Sequence, residues 1–401
     1  MSNVLLARQP IHDQDLNVFG YELLHRHNGN EGQRELDGEL ATGSLITLAI
    51  SEVGLDKLVG PKKAFINLTE QWLLSEQCYS LPKKQTVLEV LEDTPVTEPI
   101  MEALQKLHNQ GQTIALDDFV FDEEKIPMLE IADIVKLDVL HHSPEHIKRE
   151  MELMAPYKVQ FLAERVETHE IFEWTKDLGF DFFQGYFFLY PNVTHENVLP
   201  LNQLAIMHLL AKLQNPDIDF VELEETIKQD LVLSLKILEH VNSAHFSLPQ
   251  KVDSISQAAR MVGLEHIKMW AIMLSLQKVP NKSFELIFTA VIRGMMCEQL
   301  AVAMQVPDSE NYFTIGLFSV LDALLDIPMT ALMEQFPLSD EAILALVAHE
   351  GMMGATLRCV LSYERGDWQG INILFLEPDV IQQAYFDALS WSSNFWGLLE
   401  A

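Results

Sequence analysis

Polar residues close a series of short apolar runs in the first 190 residues: Glu22, Asn67, Glu89, the pair Asp117 and Asp118, Lys136, Glu164 and Gln184. Carboxylates converging on one site repel each other unless a cation sits among them. Apart from Lys136 the set offers hard oxygen donors, with no Cys or His, which suits Mg²⁺ or Mn²⁺ better than zinc. The adjacent Asp117 and Asp118 can hold two ions together if one carboxylate bridges, the geometry of two-metal phosphodiester cleavage. Lys136 lies inside the run IVKLD. Such a Lys either points inward to receiving anions or sits on the exposed face of its strand, and the spacing leaves both open. Taken singly, each carboxylate is the residue type of a helix cap or a solvated loop. The set carries the argument.

The elements that must position these residues follow from periodicity. The runs LLARQPI, VFGYELL, KAFINLT, TVLEVL, TIALDDF, DIVKLD, VQFLAERVE and FFQGYFF alternate with helical patterns such as GELATGSLITLAISEVG and PVTEPIMEALQKLHNQG. This predicts a (β/α) barrel, whose chemistry sits at the C-terminal ends of its strands. Only HDQDLN separates the first two runs, too short for a crossover helix, so those strands are expected to be antiparallel and the barrel irregular. The pattern breaks at PNVTHENVLP. From there apolar residues recur at three and four spacing, as in LNQLAIMHLLAKLQ, FVELEETIKQDLVLSLKILEHVNS and SFELIFTAVIRGMMCEQLAVAM. The expected fold class is α/β followed by all-α: a barrel over residues 1–192 and an all-helical domain over residues 203–401.

Composition excludes other classes. There are 27 Lys and Arg against 59 Asp and Glu, a formal charge of −32. No Lys or Arg lies between Arg293 and Arg358, and none follows Arg365. Nucleic acid and anionic membranes need clustered cations, so neither is expected as a partner. Cys78, Cys297 and Cys359 form no CxxC pair, and no uncharged apolar run approaches 18 residues. Both features, with a start that lacks a signal-peptide pattern, point to a cytoplasmic protein.

The ordered segments RQPI, GYELLHR, INLT, LEVLE, ALDDF, VKLD, AERVET and QGYFF resemble EAL domains, which hydrolyse the bacterial second messenger cyclic di-GMP. VNSAHFSLP, SISQAARMVG, GLFSVLDALL and YERGDW resemble HDOD domains, and the pairing resembles the YuxH-type EAL-HDOD signalling proteins. The resemblance implies an irregular TIM-like (β/α)8 barrel holding two Mg²⁺ or Mn²⁺ ions. Glu22, Asn67, Glu89 and Asp117 would ligate the first, with Asp117 bridging to a second held by Asp118 and, partly through water, Glu164. Gln184 would orient a metal-bound water and Lys136 would polarise the attacking one. Arg26 would meet a substrate phosphate, Asp138 would support Lys136 near the substrate, and Glu92 would steady the loop after Phe119.

This chain departs from the family pattern in places. The glycine-rich loop after Phe119 is replaced by VFDEEK, the middle Ala of the EAL triplet is Leu23, and the Gly of Glu-Gly-Val-Glu is Arg165. Two readings stay open: a phosphodiesterase with a degenerate catalytic loop, or an inactive EAL domain that senses or scaffolds. Where HD phosphohydrolases, relatives of HDOD domains, carry their metal-binding His and Asp, this chain has Ser319 and Val320. The expected output of the helical domain is therefore contact with a signalling protein, with no metal site of its own. The oligomeric state is not readable.

Overall fold

The computed structural model describes residues 4–27, 54–192, 201–213, 220–242, 251–279, 282–334, 336 and 338–397. The helix expected over 38–53 and most of VNSAHFSLP lie outside the described residues. Eight strands form a closed barrel in sequence order. They are β1 (Val4–Asp13), β2 (Val18–His27), β3 (Lys63–Leu68), β4 (Thr86–Val90), β5 (Thr113–Leu116), β6 (Ile134–Asp138), β7 (Gln160–Glu164) and β8 (Phe182–Gln184). β1 runs antiparallel to both β2 and β8, and the other neighbours pair in parallel. The short HDQDLN connection thus has the expected consequence.

The barrel is filled by one residue from almost every strand. Ile11, Phe65, Val87, Ala115, Ile134, Leu162 and Phe182 form a buried cluster with Phe19 packed against it. Burying each of the larger aliphatic or aromatic side chains contributes about 1.5–3 kcal/mol. On β2 the inward position is Gly20, where a Cβ would lie 2.9 Å from the Phe65 ring and 2.9 Å from the Lys63 carbonyl. Any side chain there would displace the aromatic layer. Strand side chains alternate, so positions two residues from this layer point into the barrel too, one level nearer the mouth.

The chain divides into two compact units, residues 1–188 with 361–382, and residues 189–360 with 383–401. The first is therefore not continuous in sequence. Tyr363 is fully buried, and its hydroxyl donates to the Leu6 carbonyl of β1 at 2.8 Å. Trp368 packs edge-on to its ring, and Arg365 lies over the Tyr186 ring just beyond β8.

The described elements of the second unit are all helices. The long periodic stretch from Phe220 is two helices, Phe220–Lys228 and Leu231–Val241, because Asp230 caps the second by accepting from the Leu233 amide. Helix Phe284–Ala303 is long and apolar enough to cross a membrane, as is the stretch Asp340–Glu364. The former buries 14 of its 20 residues, Arg293 among them, against its own unit. The latter breaks into two helices at left-handed His349 and Gly351. Burial inside the helical unit thus explains the apolarity of the first, and the second is not one continuous helix.

Candidate active site

Two residues beyond the filling layer, each strand presents the residue singled out above. Glu22 follows Gly20, Asn67 follows Phe65, Glu89 follows Val87, and Asp117 follows Ala115. Lys136, Glu164 and Gln184 likewise follow Ile134, Leu162 and Phe182. Period-two alternation alone brings these side chains into one layer. The antiparallel β1 contributes from the other direction, where two residues before Ile11 stands Gln9.

Lys136 is at the centre and fully buried. Its Nζ lies 2.6 Å from Glu89, 2.6 Å from Asp117, 2.9 Å from Glu164 and 3.5 Å from Glu22. Glu22 is held further by Asn67, whose Nδ2 donates at 2.8 Å, and by Gln184, whose Nε2 donates at 2.6 Å. Gln184 Nε2 also donates to Gln9 Oε1 at 2.8 Å. Gln9 closes no apolar run, and only the antiparallel register of β1 reveals its place in the layer.

One ammonium cannot neutralise four buried carboxylates, and the proton affinities record the imbalance. Burial pushes Glu22 up, but Lys136 and the hydrogen bonds from Gln184 and Asn67 outweigh it and hold that carboxyl below its usual range. Burial, then the Glu22 charge, lift Glu89 well above the carboxylate range against the pull of Lys136. Asp117 is raised by burial with Glu22 adding to it. Glu164 is pushed up to about 8, by burial first and by its neighbours Asp117 and Glu22. Burial opposes the charge on Lys136, yet Glu164, Glu22, Glu89 and Asp117 together keep it firmly protonated.

The donor set fits a hard divalent cation. Asn67 Oδ1, Glu89 Oε2, Glu164 Oε2 and Gln184 Oε1 are buried without a protein hydrogen-bond partner, which is costly unless a cation or water meets them. Among the described residues no three His, Cys, Asp or Glu side chains already stand in metal-ligand geometry. What the carboxylates share is Lys136 Nζ, so accommodating an ion requires their rotation away from that ammonium.

Other expected site residues stand apart. Asp118, one residue off the inward register, is half-buried with φ 41° and is not among the carboxylates around Lys136. Asp tolerates this left-handed conformation better than most residues. Asp138 lies on the rim, accepting from the Leu140 amide at 2.8 Å and pairing with His141 at 2.8 Å and Arg165 at 3.2 Å. Glu92 is exposed, and its backbone carbonyl, not its carboxylate, takes the Lys125 ammonium at 2.9 Å. The VFDEEK loop is held by its own cap and by a helix beyond β6: Asp122 accepts from the Glu124 amide, and the Phe121 amide donates to Glu150 in helix Pro144–Met154, both at 2.9 Å. Arg26 is in β2, opposite Leu5, with its side chain outside the described residues.

Comparison with known proteins identifies the family. An EAL domain model matches residues 2–191, and an HDOD domain model matches residues 199–358. The protein YuxH of Bacillus subtilis (strain 168) is 32% identical over 402 residues, covering 98% of both chains. The chain belongs to the EAL–HDOD family. A second relative, the cyclic di-GMP phosphodiesterase CdgJ of Vibrio cholerae serotype O1, is 32% identical over 405 residues, 98% of this chain and 93% of CdgJ. A solved standalone EAL protein from Vibrio cholerae O395, in its c-di-GMP-bound form, is 26% identical over 46% of this chain and 90% of its own, with a TM-score of 0.36. Within the EAL–HDOD family, the carboxylate layer just described belongs to the EAL half.

Proposed function

We propose that the barrel binds cyclic di-GMP and, with Mg²⁺ or Mn²⁺, hydrolyses one of its two phosphodiester bonds to give the linear dinucleotide. The observation that carries this reading is the inward layer of four carboxylates with orphaned buried oxygens beside them, at the strand ends where a barrel does its chemistry. Glu22, Asn67, Glu89 and Asp117 would hold one ion, and Asp117, Asp118 and Glu164 a second. A bound divalent pair supplies charge neutralisation of the phosphate and a water acidic enough to attack at neutral pH. Gln184, anchored by Glu22 and Gln9, orients a water from the β8 side. Lys136 places a fixed positive charge beside the carboxylates and stabilises negative charge as attack proceeds. The layer below, from Ile11 to Phe182, seals the floor against bulk water.

A specific observation favours the second reading, a barrel that binds the dinucleotide without cleaving it. The carboxylates point at Lys136 in place of a common ligand position, and the self-capped VFDEEK loop adds Asp122, Glu123 and Glu124 to the sequence after the strand-end pair. Incubating purified full-length protein with cyclic di-GMP and Mg²⁺ or Mn²⁺ tests both. Linear dinucleotide that vanishes with Glu89→Gln supports hydrolysis, tight binding without product supports the sensor, and no binding rejects both. For the helical unit we assign contact with a signalling protein. An affinity capture with full-length protein, with and without cyclic di-GMP and Mg²⁺, tests that assignment, and recovery of no specific partner rejects it.

A further inference from the structure

Arg165 is an unusual residue at an informative place. It follows Glu164 at the exit of β7, beside Asp138 at the exit of β6, since the two strands pair Asp138 with Glu164. Its φ is 58°, the left-handed region that costs free energy for any residue with a Cβ. The turn has no freedom to relax. The Val166 amide donates to the Gln184 carbonyl at 2.9 Å, and the Phe187 amide donates to the Val166 carbonyl at 3.2 Å. Gly185 packs so closely that a Cβ on it would fall 2.0 Å from the Val166 carbonyl. Glycine would sit at position 165 without strain, and this chain keeps arginine.

The ion pair with Asp138 does not account for that choice. Asp138 already accepts from the Leu140 amide and pairs with His141, so its carboxylate is satisfied without Arg165. The Arg165 side chain is 51% exposed, and an ion pair so wet adds little stability. What the pair does is hold the guanidinium beside Asp138, two residues past Lys136 at the exit of β6. The barrel mouth carries excess negative charge in a chain of net charge −32, so an anionic ligand needs a cation where it enters. The planar fork of arginine is matched to phosphate oxygens in a way a point charge is not.

We propose that Arg165, aimed by Asp138, binds a phosphate of the dinucleotide at the rim, a substrate contact outside the metal-ligand set. This deepens the functional reading above and rests on it. Arg165 thus offsets the acidity of the mouth, and its strained backbone is retained for ligand binding.

The test uses full-length protein and its Arg165→Gly, Arg165→Lys and Arg165→Gln variants. Cyclic di-GMP binding is measured by calorimetry in metal-free buffer and in Mn²⁺, beside thermal melting and Mn²⁺ titration. Arg165→Gly should bind the dinucleotide about tenfold or more weakly with an unchanged or higher Tm and unaltered Mn²⁺ affinity. Arg165→Lys should be intermediate, and Arg165→Gln should match the glycine variant in affinity. The salt dependence of binding should fall with the charge. Wild-type binding with equal affinity in the glycine and glutamine variants would overturn this proposal and leave the functional reading standing, and a lower Tm for Arg165→Gly would mark a merely structural pair. Absence of cyclic di-GMP binding by the wild type in both buffers would overturn the functional reading, and this proposal with it.

Discussion

Each unit of the molecule buries a cation, and the two burials differ in kind. In the helical unit Arg293 is 4% exposed and donates to Ser319 Oγ at 3.1 Å; burial raises the proton affinity of Asp322, and the Ala323 amide and then the Arg293 charge temper that rise. Ser319 in turn donates to the Gly316 carbonyl at 2.7 Å. Here a neutral hydroxyl stands where the sequence lacks the His of a metal-binding pair. In the barrel, Lys136 meets four carboxylates at once and leaves orphaned oxygens around them. Arg293 is served by a neutral hydroxyl, whereas Lys136 is outnumbered by opposite charges, an imbalance that the proposed divalent cation would relieve.

The contrast can be broken most directly by removing each cation. Lys136→Met should destabilise the metal-free protein by about 3–5 kcal/mol, and Mn²⁺ should restore part of the loss because an ion can replace the ammonium. Arg293→Met should also destabilise, with no recovery in Mn²⁺. Urea melts with and without Mn²⁺ check both, and rescue of both variants, or of neither, would erase the distinction.

Glu89→Gln fixes in neutral form, without changing shape, a carboxyl whose proton affinity burial already lifts well above the carboxylate range. It should weaken Mn²⁺ binding at least tenfold by calorimetry while leaving the metal-free protein as stable or more so. The pH profile sharpens the same point. Glu164 binds its proton up to about pH 8 in the fold but only to its ordinary value, 4.5, when unfolded. Its contribution is therefore fully present below about pH 4.5 and is lost as pH rises towards 8. The Tm of metal-free protein should fall over that window, with a smaller slope in Glu164→Gln. The smallest effect belongs to the loop: Asp122→Ala removes the cap on Glu124 and should cost about 1 kcal/mol, read by chemical denaturation.

Much of the barrel and its site is visible in the chain because both obey period two. The residue that closes each apolar run is two places past the residue that fills the barrel, so Glu22, Asn67, Glu89, Asp117, Lys136, Glu164 and Gln184 could be chosen before any coordinates. Asp118 shows the limit of that rule, since it lies past the end of β5 in a left-handed turn where strand alternation no longer holds. Gln9 escapes that rule because β1 runs the opposite way and its inward residue precedes its filling residue. The engagement of Asp138 with Arg165 and His141 depends on loop backbone angles that no spacing encodes. Nor does any local pattern announce that residues 361–382 pack with the barrel, because a helix face looks the same whatever it covers.

That last feature has a temporal side. All eight strands are synthesised by residue 184, but the tyrosine that caps the Leu6 carbonyl is residue 363. At elongation rates of about 5–20 residues per second the interval between completing residue 188 and residue 382 is on the order of 10–40 s. Throughout it the nascent barrel has its carboxylates, its lysine and its floor, but lacks the surface that Tyr363 and its neighbours provide. Translation order and structural order therefore disagree in this chain. A ribosome that stops after the barrel sequence releases a protein whose first unit is still unfinished.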